Sequence, residues 1–278
     1  MSDHAAAVGD PHGGRSVAAT SDLILTLRQL RYTNRSFWRN PASAFFTFAF
    51  PLMFLVIFTS IFGGTTDTTW GEIKTSNYYL PAIATFSIIT ATYTNLAISL
   101  TFLRDQGILK RIRGTPLPPW SYMTARIVHA VLMSLLLTVI VVAFGVVFYG
   151  ADIPTRTLPA FIVTVVVGSA SFAALGLAVT TIIPNADAAP AVVNATILPL
   201  MFLSGVFIPL SSDSAWYVQV AKLFPVYHFA QPMLASYFQP IVDPTTNGFR
   251  GWDLLILGAW GLAGAILASR SFRWEPRR

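Results

Sequence analysis

The sequence predicts an all-α integral membrane protein of six transmembrane helices, with an amino-terminal amphipathic interfacial helix and a re-entrant or interfacial helical pair between spans five and six. Three observations predict it. Of the 278 residues, 54% are apolar and only 11% charged, against about 25% charged in an ordinary soluble domain, so the apolar surface exceeds what one soluble core can hide. Several uncharged runs reach the roughly 20 residues needed to cross about 30 Å of hydrocarbon. The basic residues gather in alternate loops, as charges do when they orient a chain in a bilayer.

Residues 1–20, rich in Gly, Ala, Ser and Asp, read as a disordered cytoplasmic tail without the apolar core of a signal peptide. His4 and His12 are too isolated there to form a metal site. Residues 21–40 follow as an interfacial helix capped by Ser21 or Asp22. Leu23, Leu27, Leu30, Phe37 and Trp38 fall on one arc of roughly 100°, and Arg28, Arg31, Arg35 and Arg39 form a neighbouring stripe. Such a helix suits a membrane surface, with apolar side chains in the acyl boundary and guanidinium groups among lipid phosphates. It also suits packing on a partner protein, and the two roles are compatible.

Residues 41–278 form the membrane domain. Asn40-Pro41 breaks the helix before a first span over 44–62. A polar loop with Asp67, Glu72 and Lys74 leads to a second span over 79–103. The basic loop 104–119 precedes a third span over 122–149. Short turns at 152–156 and 184–187 bound a fourth span over 158–183, and a fifth covers 189–209. The sixth, 254–268, is shorter, with Trp252 as an interfacial anchor.

Residues 215–238 are long and aromatic enough to imitate a seventh span, but Lys222, Pro225, His228, Gln231 and Pro232 would be costly against lipid. Charge decides the topology. With six spans, Arg15, Arg28, Arg31, Arg35, Arg39, Arg104, Lys110, Arg111, Arg113, Arg126, Arg270, Arg273, Arg277 and Arg278 share one side, leaving Lys74, Arg156, Lys222 and Arg250 on the other. Both termini are then cytoplasmic. The 215–238 segment becomes a helical pair broken near Pro225, suited to a lid or outer gate.

The chemistry the sequence lacks is also informative. No phosphate-cradling G-x-x-x-x-G-K-[ST] run, H-E-x-x-H zinc motif or G-x-S-x-G elbow occurs. No catalytic residue, metal ligand or cofactor site is therefore expected on this chain. Cysteine is absent, which excludes disulfides and thiolate sites. Ser204 and His129 lie at opposite ends of their spans and make no dyad. The net charge of +6 serves membrane orientation, so no nucleic-acid partner is expected. No acidic residue falls in mid-span, as ion-coupled transporters usually require, so the energy for any transport must come from another subunit.

The loop Leu103-Arg-Asp-Gln-Gly-Ile-Leu-Lys-Arg-Ile-Arg-Gly-Thr-Pro-Leu117 resembles the signature of type-2 ABC-transporter permeases. The amphipathic first helix, the Pro184-Asn185 turn, the Phe202-Leu-Ser-Gly-Val-Phe-Ile-Pro209 stretch and the Phe224-Pro225 segment follow in that family's order, most like the daunorubicin-resistance branch. Departures are Asp105 where Glu is usual, Ile108 for a common Thr, and Ser214 where a Pro often stands.

The resemblance implies a multi-pass permease of a bacterial plasma membrane, paired with itself or a sibling chain and bound to two cytosolic ATPase subunits that hold ATP and Mg. It implies export of amphiphilic drug-like or lipid-like molecules. Arg104, Asp105, Gly107, Ile108, Leu109, Ile112 and Pro116 are the expected coupling residues. As a short helix, 105–113 clusters Ile108, Leu109 and Ile112 into an apolar ridge flanked by cations, which suits a groove on a soluble partner. Phe86, Tyr93, Asn95, Met201, Phe202 and Phe207 are candidate lining for a substrate path between two permease chains, and they equally suit helix packing or lipid contact. Rival readings are export of a lipid-linked glycan, a membrane-embedded enzyme, or a passive scaffold.

Overall fold

In the computed structural model, residues 13–62, 66–67, 73–151, 153, 155–210, 215–242, 247–272 and 274–275 are described. They are almost entirely helical. In chain order the elements are α1 (Gly13–Trp38), α2 (Pro41–Phe62), a two-residue antiparallel pair β1 (Thr66–Asp67) and β2 (Ile73–Lys74), then α3 (Thr75–Ile89). A π-helical turn (Thr90–Thr94) joins α3 to α4 (Asn95–Asp105), followed by α5 (Ile108–Arg113), α6 (Pro119–Tyr149) and α7 (Leu158–Val179). The chain ends with α8 (Ala189–Leu203), α9 (Trp216–Ala221), α10 (Pro225–Val242) and α11 (Gly251–Ser271).

Five segments are long and apolar enough to cross a membrane: Ala44–Ile61, Tyr78–Asp105, Pro119–Tyr149, Leu158–Val179 and Gly251–Ser271. They match five of the six expected spans. The remaining one, α8, has 15 residues and reaches about 22 Å, less than the ~30 Å of a hydrocarbon core. It stops where Gly205, at φ +82°, turns the chain into the left-handed region that glycine adopts without strain. α1 begins at Gly13, ahead of the expected start at 21, and residues 1–12, with His4 and His12, lie outside the described residues. So do Ser214 and Arg277.

The α3–α4 rod and α7 are the most enclosed of the spans. α7 packs on α11, α6, α10 and the π turn, and small residues set those approaches. A Cβ on Gly176 would meet the Tyr93 backbone oxygen at 2.7 Å, and one on Gly261 would meet Ser171 Cα at 2.8 Å. Backbones this close gain dispersion contact where lipid supplies no hydrophobic drive between helices. Hydroxyl pairs add cross-links: Ser134 with Ser169 at 2.7 Å and Tyr93 with Thr196 at 2.8 Å. One end of the bundle carries α1, the α4–α5–α6 connection, the α7–α8 turn and the end of α11. With Arg28, Arg31, Arg35, Arg39, Lys110, Arg111, Arg113 and Arg270 there, it is the basic face.

α1 lies along the first turns of α6, where Thr26 and Ser121 hydroxyls meet at 2.7 Å and Phe37 packs edge-on to His129. Thr26 and Thr33 are buried, whereas Leu23, Leu27, Trp38 and the four arginines are exposed. The helix thus packs by a threonine-containing row together with Phe37, and leaves Leu23, Leu27 and Trp38 of the expected apolar arc and the basic stripe facing outward, with Leu30 and Phe37 half-buried.

At the far end, the expected pair broken near Pro225 is present as α9 and α10. Phe229 of α10 fits over Gly168 and Phe172 in the middle of α7, while Tyr237 reaches Phe161 near its start. The 11 residues from Phe161 to Phe172 rise about 16 Å, so α10 begins half-way down the bundle and climbs out. Such a segment is tolerated at that depth only because protein encloses it.

The close approach of α7 to the π turn gives a direct test. Gly176→Ala forces backbone apart and should cost about 1–3 kcal/mol, whereas Gly258→Ala, which meets nothing within 4 Å, should cost nothing. Thermal melting of the detergent-solubilised chain separates the two, and equal midpoints would contradict this packing.

Candidate functional site

α7 ends at Val179, and the turn that follows carries carbonyls with no helical amide to receive them. Arg104, at the last turn of α4, supplies the donors. The residue is 2% exposed. Nη1 donates to the Thr180 carbonyl at 3.1 Å, and Nη2 to those of Ile183 at 3.0 Å and Pro184 at 3.1 Å. Nε donates to Asp105 Oδ1 at 3.2 Å, and Asp105 Oδ2 accepts the Ala186 N–H at 2.6 Å. The adjacent pair therefore holds the α7–α8 turn from both sides of Pro184. The five N–H donors of a planar, permanently charged guanidinium suit three carbonyls and a carboxylate spread around one side chain.

Gly107 at φ +70° lets the chain leave α4 and start α5 within two residues. Thr115 Oγ1 donates to the Ile112 carbonyl at 2.6 Å, and extended Pro118 with Pro119 opens α6. The apolar ridge of α5 does not face outward, which corrects the expectation of a ridge for a partner's groove. Leu109 is fully buried in a cluster with Leu96, Leu100, Tyr122 and Leu177, against which Ile112 and Leu117 pack, and Ile108 is half-buried. The physical reason is tethering. The six residues of α5, tethered by Gly107 before it and by Pro118 shortly after it, lie over the ends of α4, α6 and α7, and the ridge packs against them.

The outward side of α5 is cationic. Lys110, Arg111 and Arg113 are exposed, with Gly114, Thr115 and Pro116 beside them. Lys110 lies 3.7 Å from Glu275, both well exposed, a contact worth little in solvent. Trp274 packs on Tyr122 and Phe272 and brings the chain's end across this face.

The substrate-path candidates separate into two groups. Phe86, Tyr93, Met201 and Phe207 are buried; Phe86 and Phe207 join Phe54 and Phe58 in an aromatic stack, and Tyr93 bonds Thr196. Asn95 and Phe202 are exposed, Phe202 resting on Phe207. Two of the six therefore reach the surface of one chain.

A second polar cluster was not singled out by the sequence. Asp253, placed at a span boundary by sequence alone, is 6% exposed; its Oδ1 meets His228 Nδ1 at 2.7 Å and its Oδ2 meets Arg250 Nε at 2.7 Å. His228 Nε2 lies 2.8 Å from the Lys222 carbonyl, and Arg250 also reaches Gln231. This network binds the α9–α10 break to α11. The legible signal was the i,i+3 pair Arg250–Asp253 beside an aromatic segment with its own histidine. Among the described residues no His, Asp or Glu cluster is arranged to hold a metal ion.

A sequence profile of the ABC-2 type transporter family matches residues 24–238. The chain is 24% identical over 200 residues to the probable multidrug ABC transporter permease YbhR of Escherichia coli strain K12, covering 68% of this chain and 53% of that protein. It is 21% identical over 193 residues to the putative transport permease YvfS of Bacillus subtilis strain 168, covering 69% of this chain and 76% of that one. The chain thus spans about half the length of YbhR.

The Arg104 clamp predicts a local effect. Arg104→Gln orphans buried carbonyls and should cost roughly 2–4 kcal/mol, with the Ala186 amide exchanging much faster while the core of α11 stays protected. Amide exchange in detergent measures both. Unchanged protection at Ala186 would contradict the clamp.

Proposed function

The chain belongs to the ABC-2 type transporter family, and from that premise we propose that it is the membrane-spanning permease subunit of an ATP-driven exporter. Its cargo is an amphiphilic, drug-like or lipid-like molecule taken from the cytoplasm or the inner leaflet. Its partners are a second permease chain, identical or sibling, and two cytosolic ATPase subunits that carry ATP and Mg. The basic face is cytoplasmic, in keeping with the positive-inside rule, and the membrane is a bacterial plasma membrane. The similarity to YbhR, a probable multidrug ABC transporter permease, favours the drug-like branch.

The observation that carries this reading is the tie between the surface α4–α5 connection and the α7–α8 turn through Arg104 and Asp105. A partner that pushes on Lys110, Arg111 and Arg113 moves α5, whose ridge is packed into the bundle. Arg104 and Asp105 carry that displacement to the base of α8. At its other end α8 holds Met201 and Phe202, and Thr196 grips Tyr93 at the π turn. π turns inside helices are frequent at functional sites. Nucleotide-driven closure of the ATPases then switches the paired permeases between inward-open and outward-open states. The buried His228–Asp253–Arg250 network holds the α9–α10 segment as an outer gate.

Purified alone, the chain should neither bind nor hydrolyse ATP, since it has no phosphate loop. Co-expressed with its ATPase, the double variant Arg111→Glu, Arg113→Glu should lower substrate-stimulated hydrolysis at least several-fold while the permease melts at the wild-type temperature. Leu109→Asp should instead destabilise the permease itself, because Leu109 is internal. Wild-type stimulation in the charge-reversed complex would refute the coupling role of this face.

A further inference from the structure

Between α1, the start of α2, α4 and α6 lies a cavity of about 380 Å³, within the ~300–1,000 Å³ usual for small-molecule sites. It opens near the basic face and runs along α4 toward the π turn. Its lining is divided by chemistry. Asn95, Ser99, Arg126 and His129 supply polar groups, and Ile98, Phe102 and Met133 supply apolar ones. The one formal charge among its lining residues is Arg126, with no carboxylate beside it.

Two of these side chains lack the partners that buried polar groups otherwise find. Arg126 is half-buried; among the described residues it hydrogen-bonds only to the Tyr122 hydroxyl, through Nε at 3.2 Å and Nη2 at 3.1 Å, lies over the same Tyr122 ring, and has no acid paired with it. By contrast, Arg104 and Arg250 each meet a carboxylate. His129 Nε2 is buried with no hydrogen-bond partner, and the ring lines the cavity one helical turn from Arg126. An uncompensated guanidinium and an orphaned ring nitrogen on one face of α6 favour an anion with several acceptor oxygens. The apolar lining beside them favours an attached hydrocarbon.

We propose that this cavity binds the anionic phosphate headgroup of an amphiphile, with Arg126 and His129 on the phosphate and the chains lying against Ile98, Phe102 and Met133. Asn95 and Ser99 add polar groups along the α4 side of the cavity. Binding of this kind needs neither ATP nor a partner, so it stands apart from the exporter reading. The phosphate can belong to a resident membrane lipid or to the cargo.

The probe is phosphatidylglycerol. The full chain is reconstituted in vesicles of equimolar phosphatidylglycerol and phosphatidylcholine, extracted in mild detergent, and its retained lipid counted by native mass spectrometry. Wild type should retain phosphatidylglycerol in preference to phosphatidylcholine. Arg126→Gln should lower that retention roughly ten-fold or more, Ser99→Phe should lower it by filling the cavity, and Arg126→Lys should keep most of it. Melting temperatures identify any variant that fails to fold, and Arg126→Lys with Ser99→Phe then still decides the matter. If wild type shows no preference, or if folded Arg126→Gln and Ser99→Phe retain as much as wild type, the proposal is overturned. A second arm adds the ATPase and ATP: loss of the bound phosphatidylglycerol on turnover identifies it as cargo, persistence identifies it as a resident lipid, and either outcome supports the site.

Discussion

A helix that ends inside a bundle leaves carbonyls without amide donors, and apolar neighbours offer nothing to take their place. At the end of α7 that constraint is met by one side chain. Arg104 reaches three carbonyls across the α7–α8 turn while its neighbour Asp105 receives the Ala186 amide. Because the same two residues terminate α4, satisfying α7 also fastens α4 and the start of α8 to one point. The geometry of the basic face follows from that fastening, with α5 folded back over the ends of α4 and α6 and its ridge sealed beneath it.

The far end solves a different problem by a related device. α10 begins at the depth of Phe172, so the break before it exposes backbone and polar side chains inside the bundle. Asp253 joins His228 and Arg250 there, and His228 reaches the Lys222 carbonyl. A buried ion cluster adds little net stability, but removing one member leaves a charge unpaired. Both ends of the bundle are thus held by polar side chains that reach backbone carbonyls, Arg104 at one and His228 at the other, and between them small residues let the helices touch.

Much of this was legible in the sequence. The five long spans follow from uncharged apolar runs, and the helical pair at Pro225 follows from polar residues too costly for lipid. Arg104 and Asp105 stood out in the sequence as part of a signature loop, though their hold on the α7–α8 turn did not, and the amphipathic character of α1 was legible from its arginine spacing. The direction in which the α5 ridge points was not legible, because Ile108, Leu109 and Ile112 give the same periodicity whether they face a partner or the chain's own interior. The shortness of α8 was hidden by apolar residues continuing past Leu203 to Pro209 in a non-helical turn. Asp253 looked like a boundary residue because its burial depends on α10, a neighbour that helical periodicity cannot foresee. The cavity beside Arg126 was invisible for the same reason: it is the gap left where α1 packs by its threonine row.

The central claim is that the α5 surface and the α7–α8 turn move as one body, fastened by Arg104. The chain contains no cysteine, so spin labels can be placed singly at Arg113→Cys and Asn185→Cys, and the distance between them measured by pulsed electron resonance in the complex, with and without trapped nucleotide. The account predicts one narrow distance distribution, the same in both states, which broadens when Arg104→Gln is added. A distribution that shifts with nucleotide while Arg104 is intact would contradict it.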